Sequence, residues 1–397
     1  MQHACAAPTG AAQARPFLVL HSSDDMYGAD RMLLEVIAAM PEDSRRRVLV
    51  WLPSDYGHPG IPLCGRLTDL GIAWEHVDLP IVRRRYLNPR GGVELARRAA
   101  ATRRRIAAVD PAEVLLATSA VLPVAPLLPR RSRVRVYLHM QEVWHGREAR
   151  VLGLLARRVD RVVAISQASH DSLPADVRAR SVVVPNATPE PDAWQPLDGR
   201  QGPLRFIVAS RWNAWKGHRL LLGAWDEAGC PGRLVVLGGP PSMGESVDVA
   251  ALAAQSRDPG TIEVLGEVPD PGPHIDDADV MVVPSTNPEP FGLVTIEAFA
   301  RGRPVIGAAH GGLLETIQEG AGWLVAPGDQ QALAHLMAQL TRDEVLEAGH
   351  RARQRYESEY SRRAFGRNLR AAMGLPDDPD VDTAGPANAE PTTEPAG

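Results

Sequence analysis

The chain has 397 residues, 44% apolar and 23% charged, with a formal net charge of −5. These are the proportions of a soluble globular protein with core enough for two to three domains. No run reaches the ~18 apolar residues of a membrane-spanning helix, no signal-peptide core precedes residue 30, and Cys5, Cys64 and Cys230 form neither a Cys-x-x-Cys nor a disulfide framework.

A reducing cytoplasm is the location these features predict. The basic residues are arginines with one exception, Lys216, so a Gly-x-x-x-x-Gly-Lys phosphate loop is absent and Schiff-base chemistry has one candidate. Charge is unevenly spread. Residues 1–185 carry 26 Arg against 18 acids, and the remainder 17 basic against 30 acidic residues, net +8 and −13. That asymmetry suggests an anionic surface near the first half.

Residues 1–15 are Ala-rich, without periodicity, and are expected to be disordered. Phe17–His21 reads as a first strand, followed by a polar loop ending in Tyr27-Gly28-Ala29. A helix then carries Met32, Leu33, Val36, Ile37 and Met40 at helical spacing. Gly28 at that turn allows a ligand to approach the backbone. Val48–Leu52, Ala73–Val77, Val114–Ala117, Val134–His139, Val162–Ile165 and Val182–Val184 read as further strands, with helices over 91–108 and 145–157. Such alternation predicts a parallel, doubly wound sheet. No Gly-x-Gly-x-x-Gly follows the first strand, so a nicotinamide dinucleotide site is not supported.

Arg83–Arg85, Arg97-Arg98 and Arg103–Arg105 bracket a short helix that suits either anionic lipid head groups or water. No aromatics interleave with them, which argues against a single-stranded nucleic-acid track. His139 ends a strand; with Glu142 and His145 it matches no zinc spacing. Residues 186–203 are Pro-rich and read as a linker between a first domain, 16–185, and a second, 204–357.

The second half restarts with a strand at Phe206–Ala209. Ser210-Arg211-Trp212-Asn213-Ala214-Trp215-Lys216-Gly217-His218 then opens an amphipathic helix. Leu234–Leu237, Ile262–Leu265, Val280–Val283 and Val305–Ile306 read as strands, Pro269–Pro273 is Pro-rich, and 329–340 and 343–356 read as helices. A terminal helix is expected over 358–374, and residues 375–397 as a disordered acidic tail. Between strand 280–283 and a helix starting near Phe291 or Gly292 lies Asn287-Pro288-Glu289-Pro290, so Glu289 stands ahead of a helix N-terminus. Glu297 lies on that helix among Ile296, Ala298 and Phe299 and needs a partner there.

Glu289 and Glu297, seven residues apart, with Pro-Phe-Gly after the first and Ala after the second, resemble the Glu-x7-Glu signature of family 4 retaining glycosyltransferases. Gly302-Arg303-Pro304-Val305-Ile306-Gly307 and Gly311-Gly312-Leu313-Leu314-Glu315 continue that family's pattern, Ser210-Arg211…Lys216-Gly217 resembles its Gly-Arg…Lys-Gly element with Ser in place of the first Gly, and Tyr27-Gly28-Ala29-Asp30-Arg31 resembles its first Gly-containing loop. The resemblance covers residues 16–374. It implies an α/β GT-B fold, two Rossmann-like doubly wound domains facing across a cleft, with the terminal helix returning to the first.

It also implies transfer of a sugar from a nucleotide diphosphate sugar to a hydroxyl acceptor with retention, and a role for each matching residue. Arg211 and Lys216 would hold the leaving diphosphate. Glu289 would bind the donor sugar hydroxyls, and amides of Phe291, Gly292 and Leu293 sugar or phosphate oxygens. Glu297 would accept from the ribose, Val268 lies in the base-contacting turn, Gly28 leaves room for phosphate and acceptor, and His139 contacts the donor sugar. No Asp-x-Asp metal clasp appears at a strand end, so no cofactor or metal is expected beyond the nucleotide sugar, with full activity in excess chelator. The partners expected are that donor and a hydroxyl acceptor of lipid-linked or cell-envelope type, with peripheral contact to anionic membrane at its inner face and no nucleic acid. Two rivals share the fold: a sugar-nucleotide 2-epimerase, needing no acceptor, and an idle sugar-nucleotide-binding subunit, which should have lost one of Arg211, Lys216, Glu289 or Glu297.

Overall fold

A computed structural model describes residues 15–55, 63–81, 83, 86, 88–129, 133–241, 245–318 and 320–378. The expectations for residues 1–14 and 379–397, and for Arg84 and Arg85, lie outside the described residues. The chain forms two compact units, one of Met1–Pro185 with Phe365–Gly397 and one of Asn186–Ala364.

The first unit holds a seven-stranded parallel sheet, β1 (Phe17–Leu20), β2 (Val48–Pro53), β3 (Ala73–Val77), β4 (Glu113–Leu116), β5 (Arg135–Met140), β6 (Arg161–Ala164) and β7 (Ser181–Val183), in the order β3-β2-β1-β4-β5-β6-β7. Its central strands are short apolar runs because helices cover both faces. Helix Gly28–Ala38 buries Met32, Leu33, Val36 and Ile37. The 21-residue helix Pro89–Val109 is capped by the Asn88 side chain and ends at Asp110 in a left-handed conformation. The terminal helix Arg362–Met373 contributes to this unit from Phe365 on: Tyr137 Oη donates to the Met373 carbonyl at 2.9 Å, and Arg370, 1% exposed, donates to the Ala39 carbonyl.

The second unit holds a six-stranded parallel sheet, β8 (Leu204–Ala209), β9 (Gly232–Leu237), β10 (Ile262–Gly266), β11 (Val280–Val283), β12 (Val305–Ala308) and β13 (Gly322–Val325), in the order β10-β9-β8-β11-β12-β13. Its core gathers Phe206, Trp225, Leu234, Val280 and Ile306, with the Phe206 and Trp225 rings edge to face at 5.6 Å. A buried ring of this size is worth about 2–3 kcal/mol.

One expectation changes here. Residues 186–203 pack as part of the second unit: Leu197 enters its core, and Arg303, fully buried, donates to the carbonyls of Gln195 (2.5 Å) and Ala278 (3.0 Å) and to those of Arg301 and Asp276. Burial presses the Arg303 pKa down to about 10, still protonated at neutral pH. The Pro-rich stretch 269–273 leads into a helix, Gly272–Asp277, since proline suits a first helical turn.

Candidate active site

In both sheets the strand order reverses beside the first strand of the unit, between β1 and β4 and between β8 and β11. Loops leaving the carboxyl ends of such a pair diverge and open a crevice. In the second unit those loops are 210–217 and 284–292. Thr286 N–H donates to the Trp215 carbonyl at 2.7 Å, which ties them together.

Lys216 ends a 3-10 turn, Ala214–Lys216, and its Nζ meets Glu289 Oε1 at 2.7 Å. The Lys216 ammonium also stands 4.2 Å from the centre of the Trp215 ring, whose negative face attracts it. Glu289 is 5% exposed, and Ser285 Oγ donates to the same Oε1 at 2.5 Å. His310 Nε2 lies 2.9 Å from the Ser285 carbonyl oxygen and donates to it. The Glu289 backbone is pinned as well, its carbonyl accepting from Gly312 N–H at 2.8 Å.

Two glycines make this approach possible. Gly217, at φ +78°, would place a Cβ 2.0 Å from the Pro284 carbonyl oxygen; Gly311, at φ +58°, would place one 2.3 Å from that of Glu289. Neither position has room for a side chain.

Gly292 is the N-cap of helix Leu293–Ala300, so the amides of that helix's first turn follow Glu289 closely in the chain. The Phe291 side chain is core, edge to face with Tyr360 at 6.0 Å. Leu293 and Glu297 are half-buried on the helix, Arg211 is exposed after β8, and Val268 is half-buried after β10. At the Ser210 position the chain closes against Gly238, whose Cβ would meet the Ser210 carbonyl oxygen at 1.9 Å. The glycine needed there is thus supplied by the neighbouring strand end. Sequence reasoning named Lys216 and Glu289 separately but not their pairing, and missed Ser285 and His310. A serine closing a buried strand was the available signal.

In the first unit Gly28 is the first residue of its helix, and Asp30 caps it by accepting from Tyr27 N–H at 3.1 Å. Asp30 also accepts from Ser23 Oγ at 2.7 Å and meets His21 Nε2 at 2.9 Å. Burial works to raise the Asp30 pKa, but the His21 contact, Ser23 and the Tyr27 amide outweigh it, and the carboxyl stays below its ordinary range.

His139 is 2% exposed on β5, its Nδ1 2.9 Å from Gln141 Nε2. Burial, and then the nearby His21, hold its pKa down to about 4, so the ring is neutral at pH 7. Glu142 turns to Ser119 Oγ at 2.6 Å, and His145 is exposed, so these two do not gather with His139. Burial raises the Glu142 pKa above the ordinary range.

Among the described residues one set of potential metal ligands lies close together, Asp24, Cys64 and His76. It is internally satisfied, Asp24 taking the Cys64 amide at 2.9 Å and His76 Nε2 at 2.8 Å. Of the arginine clusters, Arg83 and Arg98 turn inward to Asp55, at 3.5 and 3.2 Å. Arg90, Arg97, Arg103 and Arg104 are exposed on helix Pro89–Val109, as is Val93 at 72%.

Residues 203–343 match the family model of glycosyl transferases group 1. The match covers 141 of the chain's 397 residues and lies within the second unit. Relatives of the chain include the D-inositol 3-phosphate glycosyltransferase of Xylanimonas cellulosilytica, 35% identical over 176 residues (43% of this chain, 40% of that protein). Another is the phosphatidyl-myo-inositol mannosyltransferase of Mycobacterium leprae, 33% identical over 158 residues (35% and 42%). The chain spans less than half the length of the curated relatives it matches. Among solved structures, Anabaena Alr3699/HepE in complex with UDP and glucose superimposes with a TM-score of 0.72 at 22% identity, over 91% of this chain and 100% of that one. Sucrose-phosphate synthase from Thermosynechococcus elongatus gives 0.70 at 18%, over 90% and 97%. The fold is GT-B, with two Rossmann-like domains, as the resemblance implied.

Proposed function

We propose that this group 1 protein transfers a sugar from a nucleoside diphosphate sugar to a hydroxyl acceptor, with retention at the anomeric carbon, in the synthesis of a polysaccharide or glycolipid. The observation that carries it is the Lys216–Glu289 pair, 2.7 Å apart at the switch point of the second sheet and directly ahead of a helix N-terminus. A fixed ammonium beside first-turn amides is a site for a diphosphate whose negative charge grows as it leaves. The adjoining carboxylate suits sugar hydroxyls and the positive charge that develops at the anomeric carbon. The names of the relatives, which include mannosyl- and glycosyltransferases, support the same reading.

In the reaction proposed, the acceptor oxygen bonds to the anomeric carbon on the face from which the diphosphate departs. The carbon–phosphate oxygen bond breaks, and the acceptor proton passes to the leaving phosphate oxygen. Arg211 joins Lys216 at the diphosphate, Glu297 accepts from the ribose, and Val268 borders the base. No divalent metal is needed between the phosphates, so turnover persists without added magnesium or manganese. Location is cytoplasmic, with the exposed Arg90, Val93, Arg97, Arg103 and Arg104 face resting on anionic lipid at about 1 kcal/mol per arginine. Co-sedimentation with phosphatidylglycerol vesicles but not phosphatidylcholine vesicles checks the lipid contact.

The test is a thermal-shift and hydrolysis panel of nucleoside diphosphate sugars, UDP-glucose and GDP-mannose among them, on wild type, Glu289→Ala and Lys216→Ala. One donor that stabilises and is slowly hydrolysed only by wild type supports the proposal. A donor converted to its C2 epimer without acceptor makes the protein an epimerase; no shift with any donor makes it an idle subunit.

A further inference from the structure

His21 follows β1 and His139 lies on β5, with β4 between them. The sheet register aligns Leu20 with Leu116 and Leu116 with Leu138. One residue on, His21, Ala117 and His139 therefore stand in a row across three strands, and in a parallel sheet residues in a row point to the same face. That face is opposite the one on which Leu20, Leu116 and Leu138 enter the main core. The two histidine Cα atoms are about 9.6 Å apart, twice the strand spacing, and the residue between them in the row is Ala117. Side chains on this face do reach across two strands: Phe17 on β1 and Tyr137 on β5 stack with centroids 6.2 Å apart.

Each ring has one nitrogen committed and one buried nitrogen without a partner, Nδ1 of His21 and Nε2 of His139. The committed nitrogens define what the others offer. Asp30 accepts from His21 Nε2, so in the neutral ring that nitrogen carries the proton and Nδ1 keeps a lone pair. The amide of Gln141 donates to His139 Nδ1, so Nε2 of that neutral ring carries the proton. One acceptor and one donor, both buried, share a face over the smallest side chain in the row. A hydroxyl group is the ligand that both accepts and donates.

We infer that His21 and His139 form a clamp for one sugar hydroxyl, His139 Nε2–H donating to its oxygen and His21 Nδ1 accepting its proton, with Asp30 fixing the tautomer that makes His21 an acceptor. The inference rests on the transferase reading for the ligand class and adds His21 and Asp30, which that reading does not use, as positioning and specificity residues. The hydroxyl can belong to the donor sugar or to the acceptor, since both carry the same group.

The experiment is steady-state kinetics at pH 8, where an ordinary imidazole is neutral. Wild type is compared with His21→Gln, whose amide can still reach Asp30 but leaves no acceptor at the Nδ1 position, and with His21→Asn, which restores an oxygen near Nδ1 and gives up Asp30. The substrates are the donor from the panel above and its 4-deoxy and 6-deoxy analogues. His21→Gln should raise one KM by about 5- to 150-fold, the cost of leaving a buried hydroxyl half-satisfied, and should no longer distinguish the parent sugar from one deoxy analogue. His21→Asn should recover part of the loss. A rise in donor KM, also seen in hydrolysis without acceptor, assigns the hydroxyl to the donor; a rise confined to acceptor KM assigns it to the acceptor.

Unchanged KM values in an active, folded His21→Gln overturn the clamp, since water alone then satisfies Nδ1. If His21→Gln proves unstable, Asp30→Asn provides the same comparison, because an amide that donates to Nε2 moves the proton to Nδ1. Equal kcat/KM for the parent sugar and every deoxy analogue in wild type, together with an acceptor KM that His21→Gln leaves unchanged, would overturn the clamp too. Activity in Glu289→Ala equal to wild type would instead overturn the transferase site of the second unit, and the two failures are told apart by which variant keeps its activity.

Discussion

Replacing Lys216 with methionine removes the ammonium that faces Glu289 and leaves a carboxylate that is 7% exposed. At 2.7 Å and an effective dielectric constant of about 20, the lost attraction is about 6 kcal/mol before desolvation is counted. Lys216 is itself 18% exposed, and Ser285 still donates to Glu289, so water and the serine recover part of it. The expected net cost is about 3 kcal/mol, the lower end of what breaking a buried pair costs. Glu289→Gln should cost less, because a neutral amide can still accept from Ser285. The double variant should be clearly more stable than the sum of the two losses predicts, since neither charge is then stranded.

Urea unfolding of the four proteins measures this directly. The second unit's transition should shift in the single variants, with a coupling energy of about 1–3 kcal/mol. Additivity within about 0.3–0.5 kcal/mol would refute the reasoning, as it would show that the two side chains part in solution and meet water instead.

Other outcomes follow from the same coordinates. Gly217→Ala should cost several-fold more stability than Gly328→Ala: both have φ +78°, but only Gly217 has a carbonyl oxygen 2.0 Å from the new Cβ, and paired thermal melts would show the difference. His139 and His218 are both held at about 4 by burial, with His21 and Lys216 as the lesser causes, against an ordinary 6.5. The unfolded chain therefore binds more protons between those values, so their stability contribution, complete above pH 6.5, is lost as pH falls towards 4. His218→Gln should flatten the fall of urea midpoint with pH in that window. Arg303→Lys keeps the charge but cannot span four carbonyls, and should lower the urea midpoint by the equivalent of about 3 kcal/mol.

The fold was legible where strands are buried on both sides, because Val280-Met281-Val282-Val283 and Phe17-Leu18-Val19-Leu20 have no polar alternation that would suit any other setting. Gly322-Trp323-Leu324-Val325 went unread because an edge strand is half-exposed, starts on glycine and is too short to show a period. The site was legible as residue types and spacings along the chain, as with Glu289 and Glu297. Its pairings were not. Lys216 reaches Glu289 across 73 residues, and Arg303 is tied to Gln195 across 108, so the partner of each depends on strand order. The inward turn of Arg83 and Arg98 was hidden for the same reason, their partner Asp55 lying on a different element.

The first unit is built from two separate stretches, with Phe365, Leu369 and Met373 all 3% exposed or less within it. This bears on how the protein is made. When residue 185 leaves the ribosome that unit still lacks the helix that covers part of its core, whereas the second unit has its whole sequence by residue 364. At about 5–20 residues per second, the 179 residues between Pro185 and Phe365 take roughly ten to forty seconds to synthesise. Throughout that time the nascent first unit exposes apolar surface to chaperones and proteases. A premature stop a few codons before Phe365 would leave the transferase motifs intact and the first unit unable to finish folding.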